Sequence, residues 1–392
     1  MRTLVVDNGG HSIKYGFADE DCRIVPNAIF KSRSERKRVY VADELEELED
    51  RSALFFSVPL DKGYLVNWDV QRRIWEHTFR AIDPAETRIA LTDPLYLVPA
   101  FKDYSGELLL DIGGKLLTNQ LKEWISYRDL DMREDTYVIN ECKEDSCFVS
   151  LDYNADMRLA KLKNSGNTIR REYVLPDFQE LKRGVLRMQT RGPEPQRINL
   201  NAERFSLPEA LFRPNYIGIN QLGLADGISA SIDRMQPTFN QAATKLMSAM
   251  LQSKKKPIVS DEPYRFRCHV VGGSTLFPNF TARLTAELRS LLPTYVDEVV
   301  VERPENPITA AWEAGASLAR QDALPGGFLT RAEYLEYGDD YLFFEKFLEF
   351  SPEPSYVEGL AKKYTPKEET APAPSGDPQQ ASTQLPPPPV AS

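Results

Sequence analysis

A short polar turn lies between two strand-like runs at the start of the chain. Residues 3–6 and 13–17 are rich in β-branched and aromatic side chains, and residues 7–12 between them include Gly9 and Gly10. This pattern predicts a β-hairpin with a glycine-containing tip. Glycine permits positive φ and close approach, so such a tip can point backbone N–H groups at a phosphate. Ordinary hairpins also have Gly-Gly tips, so this turn alone leaves phosphate binding open.

Polar side chains surround the predicted tip. Asp7 and Asn8 precede the glycines, and Lys14 follows them. A lysine at this place would add positive charge to a phosphate site. The first set of candidate nucleotide-binding residues is therefore Asp7, Asn8, Gly9, Gly10 and Lys14.

A second glycine turn occurs far along the chain. Residues 268–271 predict a buried strand that runs into Gly272 and Gly273, and the apolar spacing after Pro278 predicts a helix. Backbone amides and the helix dipole at such a junction suit a nucleotide, although glycine there also serves close packing. Two such loops in one chain favour a nucleotide site more than either loop does alone.

Between these loops, strand-like runs alternate with helical ones. Val70, Ile74 and Phe79 recur at helical spacing after Asp69, and a similar pattern follows the pair at residues 113–114. Alternation of this kind predicts an α/β fold.

Composition excludes several classes of protein. The chain has 48 Lys and Arg against 58 Asp and Glu, a net charge of −10, which argues against strong independent DNA binding. It has no apolar run of the roughly 18 residues that a bilayer span needs, and its start does not resemble a secretory signal, so no membrane is expected. Four scattered cysteines and three histidines predict neither a disulfide framework nor a metal site.

The end of the chain has a different character. Ten of the 28 prolines fall within residues 351–392, and no aromatic residue follows Tyr364. We expect a disordered, Pro-rich tail there. The proline run at residues 386–389 suits either a solvated tail or a polyproline ligand for an aromatic groove.

Several motifs together resemble the actin family, over about residues 1–350. Four of them follow actin in order: residues 7–10 with 14–17, residues 67–69 with 74–79, residues 203–205 with 208–212, and residues 271–278. Residues 62–72, 113–119, 173–178 and 304–309 look like the nuclear actin-related proteins of that family. The resemblance implies a two-lobed fold with a central nucleotide cleft.

The resemblance also implies roles for particular residues. Residues 7–14 would form the first phosphate loop, and Lys143 and Glu144 would touch the ribose and adenine. The adenosine loop would contain Gly272, Gly273, Ser274, Thr275 and Phe277. Two departures weaken the site: His11 replaces a glycine of the phosphate loop, and Ile308 replaces an adenine-facing lysine. ATP binding is therefore expected to be weak or absent.

The largest departure is a gap relative to the family near residues 101–111, which would leave one lobe incomplete. Family members carry roughly sixty more residues there, including the second phosphate hairpin. Asp111 and Gly113 offer an Asp-x-Gly sequence, but this aligns better with the strand that leads into the next helix. Without the hairpin, the acid that orders metal and water is absent, so no ATP hydrolysis is expected. A real deletion, a skipped exon and a gene-prediction error stay open as causes.

The resemblance implies a nuclear, non-catalytic scaffold. Such a subunit works in SWR-type remodelling complexes, which exchange core histone 2A for its Z variant, beside a HIT-type zinc-finger subunit and the remodelling ATPase, and meets nucleosomes or histones through the complex. The expected localisation is the nucleus, with the cytoplasm as a second compartment. The alternatives are an ATPase or kinase of the actin, sugar-kinase and chaperone superfamily, and a cytoskeletal actin-like protein.

Overall fold

The computed structural model describes residues 1–32, 38–51, 54–61, 64–92, 113–163, 165–187, 196–234, 265–292, 296–321, 328, 330–333 and 335–336. Nearly all of the described residues belong to one compact unit, Met1–Glu333. The predicted gap region and the Pro-rich tail lie outside the described residues.

Strands and helices alternate as predicted, and their bounds are as follows. The strands are β1 Arg2–Asn8, β2 Ser12–Phe17, β3 Arg23–Pro26, β4 Ile29–Lys31, β5 Tyr40–Val41, β6 Phe55–Ser57, β7 Leu60–Asp61, β8 Tyr64–Leu65, β9 Thr87–Thr92, β10 Arg171–Val174, β11 Val185–Arg187, β12 Arg197–Leu200, β13 Arg265–His269 and β14 Glu298–Glu302. The α-helices are α1 Trp68–Thr78, α2 Gly114–Arg128, α3 Thr136–Ser146, α4 Tyr153–Ala160, α5 Glu203–Glu209, α6 Leu224–Arg234, α7 Phe280–Leu291 and α8 Ala310–Arg320.

The amino-terminal hairpin is the centre of a four-stranded sheet with the order β3-β2-β1-β9. β1 and β2 pair antiparallel, whereas β1 and β9 pair in parallel. The prediction of a hairpin is confirmed, but the strands continue further than predicted. Asp7 and Asn8 are still paired, with Lys14 and Ile13, so the tip consists of residues 9–11 alone.

Helix α1 covers one face of this sheet. Its first turn is capped by Asn67, whose side chain accepts a hydrogen bond from the Val70 amide at 3.1 Å. Ile74 is fully buried and packs into a cluster with Leu4, Val6 and Ile13. The helical spacing seen in the sequence is therefore the spacing of the face that meets the sheet.

The larger core lies among α2, α3 and α7. Leu117, Leu121 and Ile125 of α2 are fully buried, as are Leu284 and Leu288 of α7. The predicted helices at both places are confirmed. The sheet with the order β11-β10-β12 and the parallel pair β13-β14 pack against the same core.

β13 differs from its prediction as a buried strand. It pairs with β14, its residues alternate between exposed and half-buried, and Val271 beyond its end is 56% exposed. Only one neighbouring strand is found for it in the described part of the chain. A strand covered on one face keeps alternate side chains in water, so an apolar run does not by itself establish full burial.

The sheet edge next to the predicted gap carries exposed apolar side chains. Ile89 and Leu91 of β9 are 59% and 53% exposed, although they pair with the buried Leu4 and Val6 of β1. This exposure agrees with the expectation that a missing segment uncovers apolar surface on that lobe. No described helix is long and apolar enough to cross a membrane, and the four cysteines are free thiols.

Candidate functional site

The hairpin brings an acid and a lysine together beside its tip. Asp7 and Lys14 face each other across the ladder, and Lys14 Nζ lies 3.2 Å from Asp7 Oδ2. The hydroxyl of Thr92, at the end of β9, donates a hydrogen bond of 2.8 Å to the other carboxylate oxygen. The ion pair is largely buried, with side-chain exposures of 12% for Lys14 and 17% for Asp7. A polar pocket is thus built where three strands meet.

Asn8 is held by a network of side-chain amides. Its Nδ2 donates to Gln71 Oε1 at 3.2 Å, and its Oδ1 accepts from Trp75 Nε1 at 3.3 Å. Asn27, which is fully buried like Gln71, donates to the Gly9 carbonyl oxygen at 2.9 Å. Buried amides with satisfied partners are costly to rearrange. The network therefore fixes the orientation of the tip against α1.

The two glycines of the tip do not use the backbone freedom predicted for them. In the described residues, positive φ at glycine occurs only at Gly218 and Gly272. Gly9 is needed for a different reason, because a Cβ there would lie 2.9 Å from the Ser12 carbonyl oxygen and 3.0 Å from Lys14 Nζ. A Cβ at Gly10 would meet nothing within 4 Å. Close approach, rather than left-handed backbone, explains the first glycine.

Lys143 on α3 is buried and fully engaged by the protein. Its ammonium donates to the Gly114 carbonyl at 3.1 Å, to Thr118 Oγ1 at 2.9 Å and to Asn140 Oδ1 at 2.8 Å. Burial lowers the pKa of Lys143, and the neighbouring Glu144 opposes that effect. An ammonium has three N–H donors, so all of them are used within the protein. Lys143 ties α3 to the start of α2 and has no donor left for a ligand in this arrangement.

Glu144 lies at the surface beside Lys143. Its Oε1 accepts from Asn140 Nδ2 at 2.8 Å, and its Oε2 lies 3.7 Å from Arg183 Nη2. Both contacts hold the carboxylate without burying it, so it stays accessible for a hydroxyl donor such as a ribose.

The second glycine loop follows β13 as predicted. Gly272 has φ +94°, a region that favours glycine, and its amide donates to the Pro307 carbonyl at 2.7 Å. Thr275 Oγ1 donates back to the Gly272 carbonyl at 2.8 Å. A Cβ at Gly272 or Gly273 would meet nothing within 4 Å, whereas Phe277 is buried in the core. The loop thus leaves open space on one side and is anchored on the other.

The adenosine-type loop and the Lys143 helix meet at Gly114. A Cβ built on Gly114 would lie 3.6 Å from both Lys143 Nζ and Ser274 Oγ. Lys143 and Ser274 were both named from the sequence, and the structure places them on the two sides of Gly114. Gly114 was not predicted as a site residue from the sequence, although it lies in the motif of residues 113–119.

His11 connects the phosphate-type tip with the other half of the site. The charges of Lys14, Lys143 and Glu144 all act on its imidazole, so the tip faces α3. The pKa of His11 is lowered, chiefly by partial desolvation, although the ring keeps access to solvent. The three predicted parts of the site are therefore neighbours.

These residues suit a nucleotide better at its adenosine end than at its phosphate end. Open space adjoins the glycines of the second loop. In contrast, Lys14 of the first loop is paired with Asp7, and Lys143 of α3 donates all its N–H groups within the protein. Among the described residues, no group of three or more His, Cys, Asp or Glu side chains could hold a metal ion. The described residues thus supply one glycine-tipped hairpin and one glycine loop with open space beside it.

Sequence reasoning missed the residues that support the site. Asn27, Gln71 and Thr92 hold the hairpin, and Thr118 and Asn140 hold Lys143. One signal was available for Gln71, which lies three residues before Ile74 and hence on the buried face of α1. A polar side chain on such a face indicates a buried hydrogen-bond network.

A glycine-tipped hairpin and a second glycine loop lie around one buried lysine in an α/β fold, as expected for an actin-like fold. The actin family profile matches residues 1–112 and 105–346. The chain belongs to the actin family.

Curated relatives narrow the similarity within the family. An actin-like protein of Caenorhabditis elegans is 35% identical over 406 aligned positions, which cover 88% of this chain and 92% of the worm protein. Actin-related protein 6 of Drosophila melanogaster is 29% identical, and that of Arabidopsis thaliana is 30% identical, each covering 86% of this chain and 97% of the relative. The chain is thus similar to actin-related protein 6 across most of its length.

The same alignment contains positions that this chain lacks. Because 88% of 392 residues is about 345, roughly 61 of the 406 positions aligned with the worm protein have no residue of this chain opposite them. The family profile matches in two segments that meet at residues 105–112.

Proposed function

We propose that this protein is a non-catalytic structural subunit of a nuclear SWR-type chromatin-remodelling complex that exchanges core histone 2A for its Z variant. In this role it binds a HIT-type zinc-finger subunit and the remodelling ATPase, and it meets nucleosomes through the complex. The observation that carries the proposal is the similarity to actin-related protein 6 over 86% of the chain in fly and plant.

The details of the site favour a structural role of the protein over a catalytic one. Lys143 gives all its N–H donors to protein acceptors, and His11 brings a side chain into a loop where the actin pattern has glycine. The roughly 61 unmatched positions fit the loss of the second phosphate hairpin. Without a residue to order the metal and the attacking water, a bound nucleotide would not be hydrolysed.

Retained features support weak nucleotide binding. The clamped hairpin tip and the open space at Gly272 and Gly273 are what a nucleotide site needs. Bound ATP would then stabilise the folded body by mass action and would act as a structural ligand.

Depletion of the protein in cells tests the proposal. We expect less of the Z-type histone variant in chromatin, while actin filaments stay unchanged. Re-expression of a version that carries the relatives' missing segment should restore the variant. Unchanged variant levels together with altered filaments would favour the cytoskeletal alternative.

A further inference from the structure

One contact joins the amino-terminal part of the molecule directly to the helix that carries Lys143. Arg51 Nη1 donates a hydrogen bond of 2.8 Å to the hydroxyl oxygen of Tyr137, in the first turn of α3. The guanidinium carbon also lies 5.5 Å from the centre of the Tyr137 ring. The two residues are 86 positions apart in the chain, so the contact is tertiary.

Packing holds Tyr137 in place for this contact. Its ring lies against a small apolar cluster formed by Ala28, Phe30, Tyr40, Leu45, Leu48 and Leu54. The cluster belongs to the segment that contains Arg51, and it is separate from the large core in which α3 buries Ile139 and Cys142. The helix therefore bridges two hydrophobic clusters, and Tyr137 is its attachment to the smaller one.

Electrostatics give Arg51 a second reason to stay there. Glu141, one turn after Tyr137, is only 7% exposed, and its Oε2 has no hydrogen-bond partner among the described residues. Burial raises the pKa of Glu141, whereas the charges of Arg183 and Arg51 and the Tyr137 hydroxyl act against the rise. Arg183 Nη1 lies 3.8 Å from Glu141 Oε1. Arg51 thus offsets part of the cost of a buried carboxylate, a cost that would return if the contact opened.

The attached helix is the one that faces the hairpin tip. Lys143 and Glu144 follow Tyr137 by two turns, and both act on His11 across the site. A motion that separates α3 from the segment of Arg51 must break the Arg51–Tyr137 contact. We propose that Arg51 and Tyr137 are positioning residues that latch α3 to the amino-terminal part of the molecule and so slow the release of bound nucleotide. The second half of this inference rests on the nucleotide binding proposed above.

Hydrogen exchange in the full chain without nucleotide tests the latch itself. Tyr137→Phe keeps the ring and removes the hydroxyl, and Arg51→Met removes the donor and the charge. We expect amides of residues 137–143 to exchange about five- to tenfold faster in either variant, which corresponds to the loss of one ordinary hydrogen bond. The effects in the double variant should be less than additive, because both changes break the same contact. Arg51→Lys should restore part of the protection.

A matched control separates the latch from general loss of an arginine. Arg2 lies 3.9 Å from the Phe17 ring centre and pairs with Asp19 and Glu20, entirely within the amino-terminal sheet and its turn. Arg2→Met should leave exchange in α3 unchanged.

Release of a fluorescent ATP analogue should quicken in the two latch variants by the same factor as exchange. Wild-type exchange rates in both variants, or additive effects in the double variant, would overturn the latch. Faster exchange with no detectable binding of the analogue would overturn the nucleotide role and leave the attachment standing.

Discussion

At the scale of single residues, Lys143 behaves as a structural cation. It joins the Gly114 carbonyl, Thr118 and Asn140, and its burial would be unfavourable without them. We predict that Lys143→Met lowers the free energy of unfolding by about 1–3 kcal/mol, because it leaves buried acceptors unpaired. Chemical denaturation measures this. Lys122→Met is the control, since Lys122 donates only to Thr136 Oγ1 in the described structure and should cost less. Equal losses would contradict the structural role.

His11 gives a pH dependence with a definite sign. Its pKa is lowered by desolvation from the ordinary 6.5, so the native state binds fewer protons than the unfolded state between the two pKa values. Stability should therefore fall as pH drops from 6.5 through the folded pKa of His11. We predict a smaller fall for His11→Gln over pH 7 to 5, measured by urea unfolding, with His77 and His269 present in both proteins. Parallel pH profiles would show that the ring is not desolvated.

At the scale of elements, α5 and α7 are joined by a buried ion pair. Arg283 Nη2 and Nη1 donate to the two oxygens of Glu209 at 2.8 and 3.2 Å, and these residues are 8% and 1% exposed. We predict that Glu209→Gln costs about 3 kcal/mol, because the buried guanidinium of Arg283 then keeps only Glu287, at 2.7 Å, as its counter-charge. Glu298→Gln is the matched control, since it breaks the half-exposed pair with Arg265, at 2.7 Å, and should cost under about 1 kcal/mol. If thermal or urea unfolding showed similar losses of stability for Glu209→Gln and Glu298→Gln, burial would not explain the contribution of the Arg283–Glu209 pair.

The elements also mark how far sequence reasoning reached. The hairpin, α1, α2 and α7 were predicted because each has a strong local pattern: β-branched runs around a polar turn, or apolar residues at helical spacing. The strand β13 was predicted too, but its half-exposure was not, because burial depends on neighbouring elements that the local pattern does not encode. The same limit applies to the site. Glycine turns indicated where its loops lie, whereas the partners of Lys143 and Asn8 come from distant segments that only the fold brings together.

At the scale of the whole molecule, we predict that the protein binds ATP weakly and does not hydrolyse it. The purified chain should release no phosphate from ATP above background in a steady-state assay, because nothing in its described site orders a metal and an attacking water. Weak ATP binding is compatible with this and should be reduced in Lys14→Met, which removes the positive charge beside the hairpin tip. A turnover comparable to that of actin, abolished by Asp7→Ala, would favour the ATPase alternative.

Affinity capture from nuclear extract tests the central claim most directly. Two versions are compared as baits, the chain as it stands and the chain with the relatives' missing segment restored at the junction of the two family matches, residues 105–112. We predict that the restored version recovers a HIT-type zinc-finger protein and a large remodelling ATPase with or without added ATP, because hydrolysis is not the signal. The unrestored version should recover less, since Ile89 and Leu91 on the adjoining sheet edge stay uncovered. Recovery of cytoskeletal proteins alone by the restored version, with no remodelling subunits, would contradict the account.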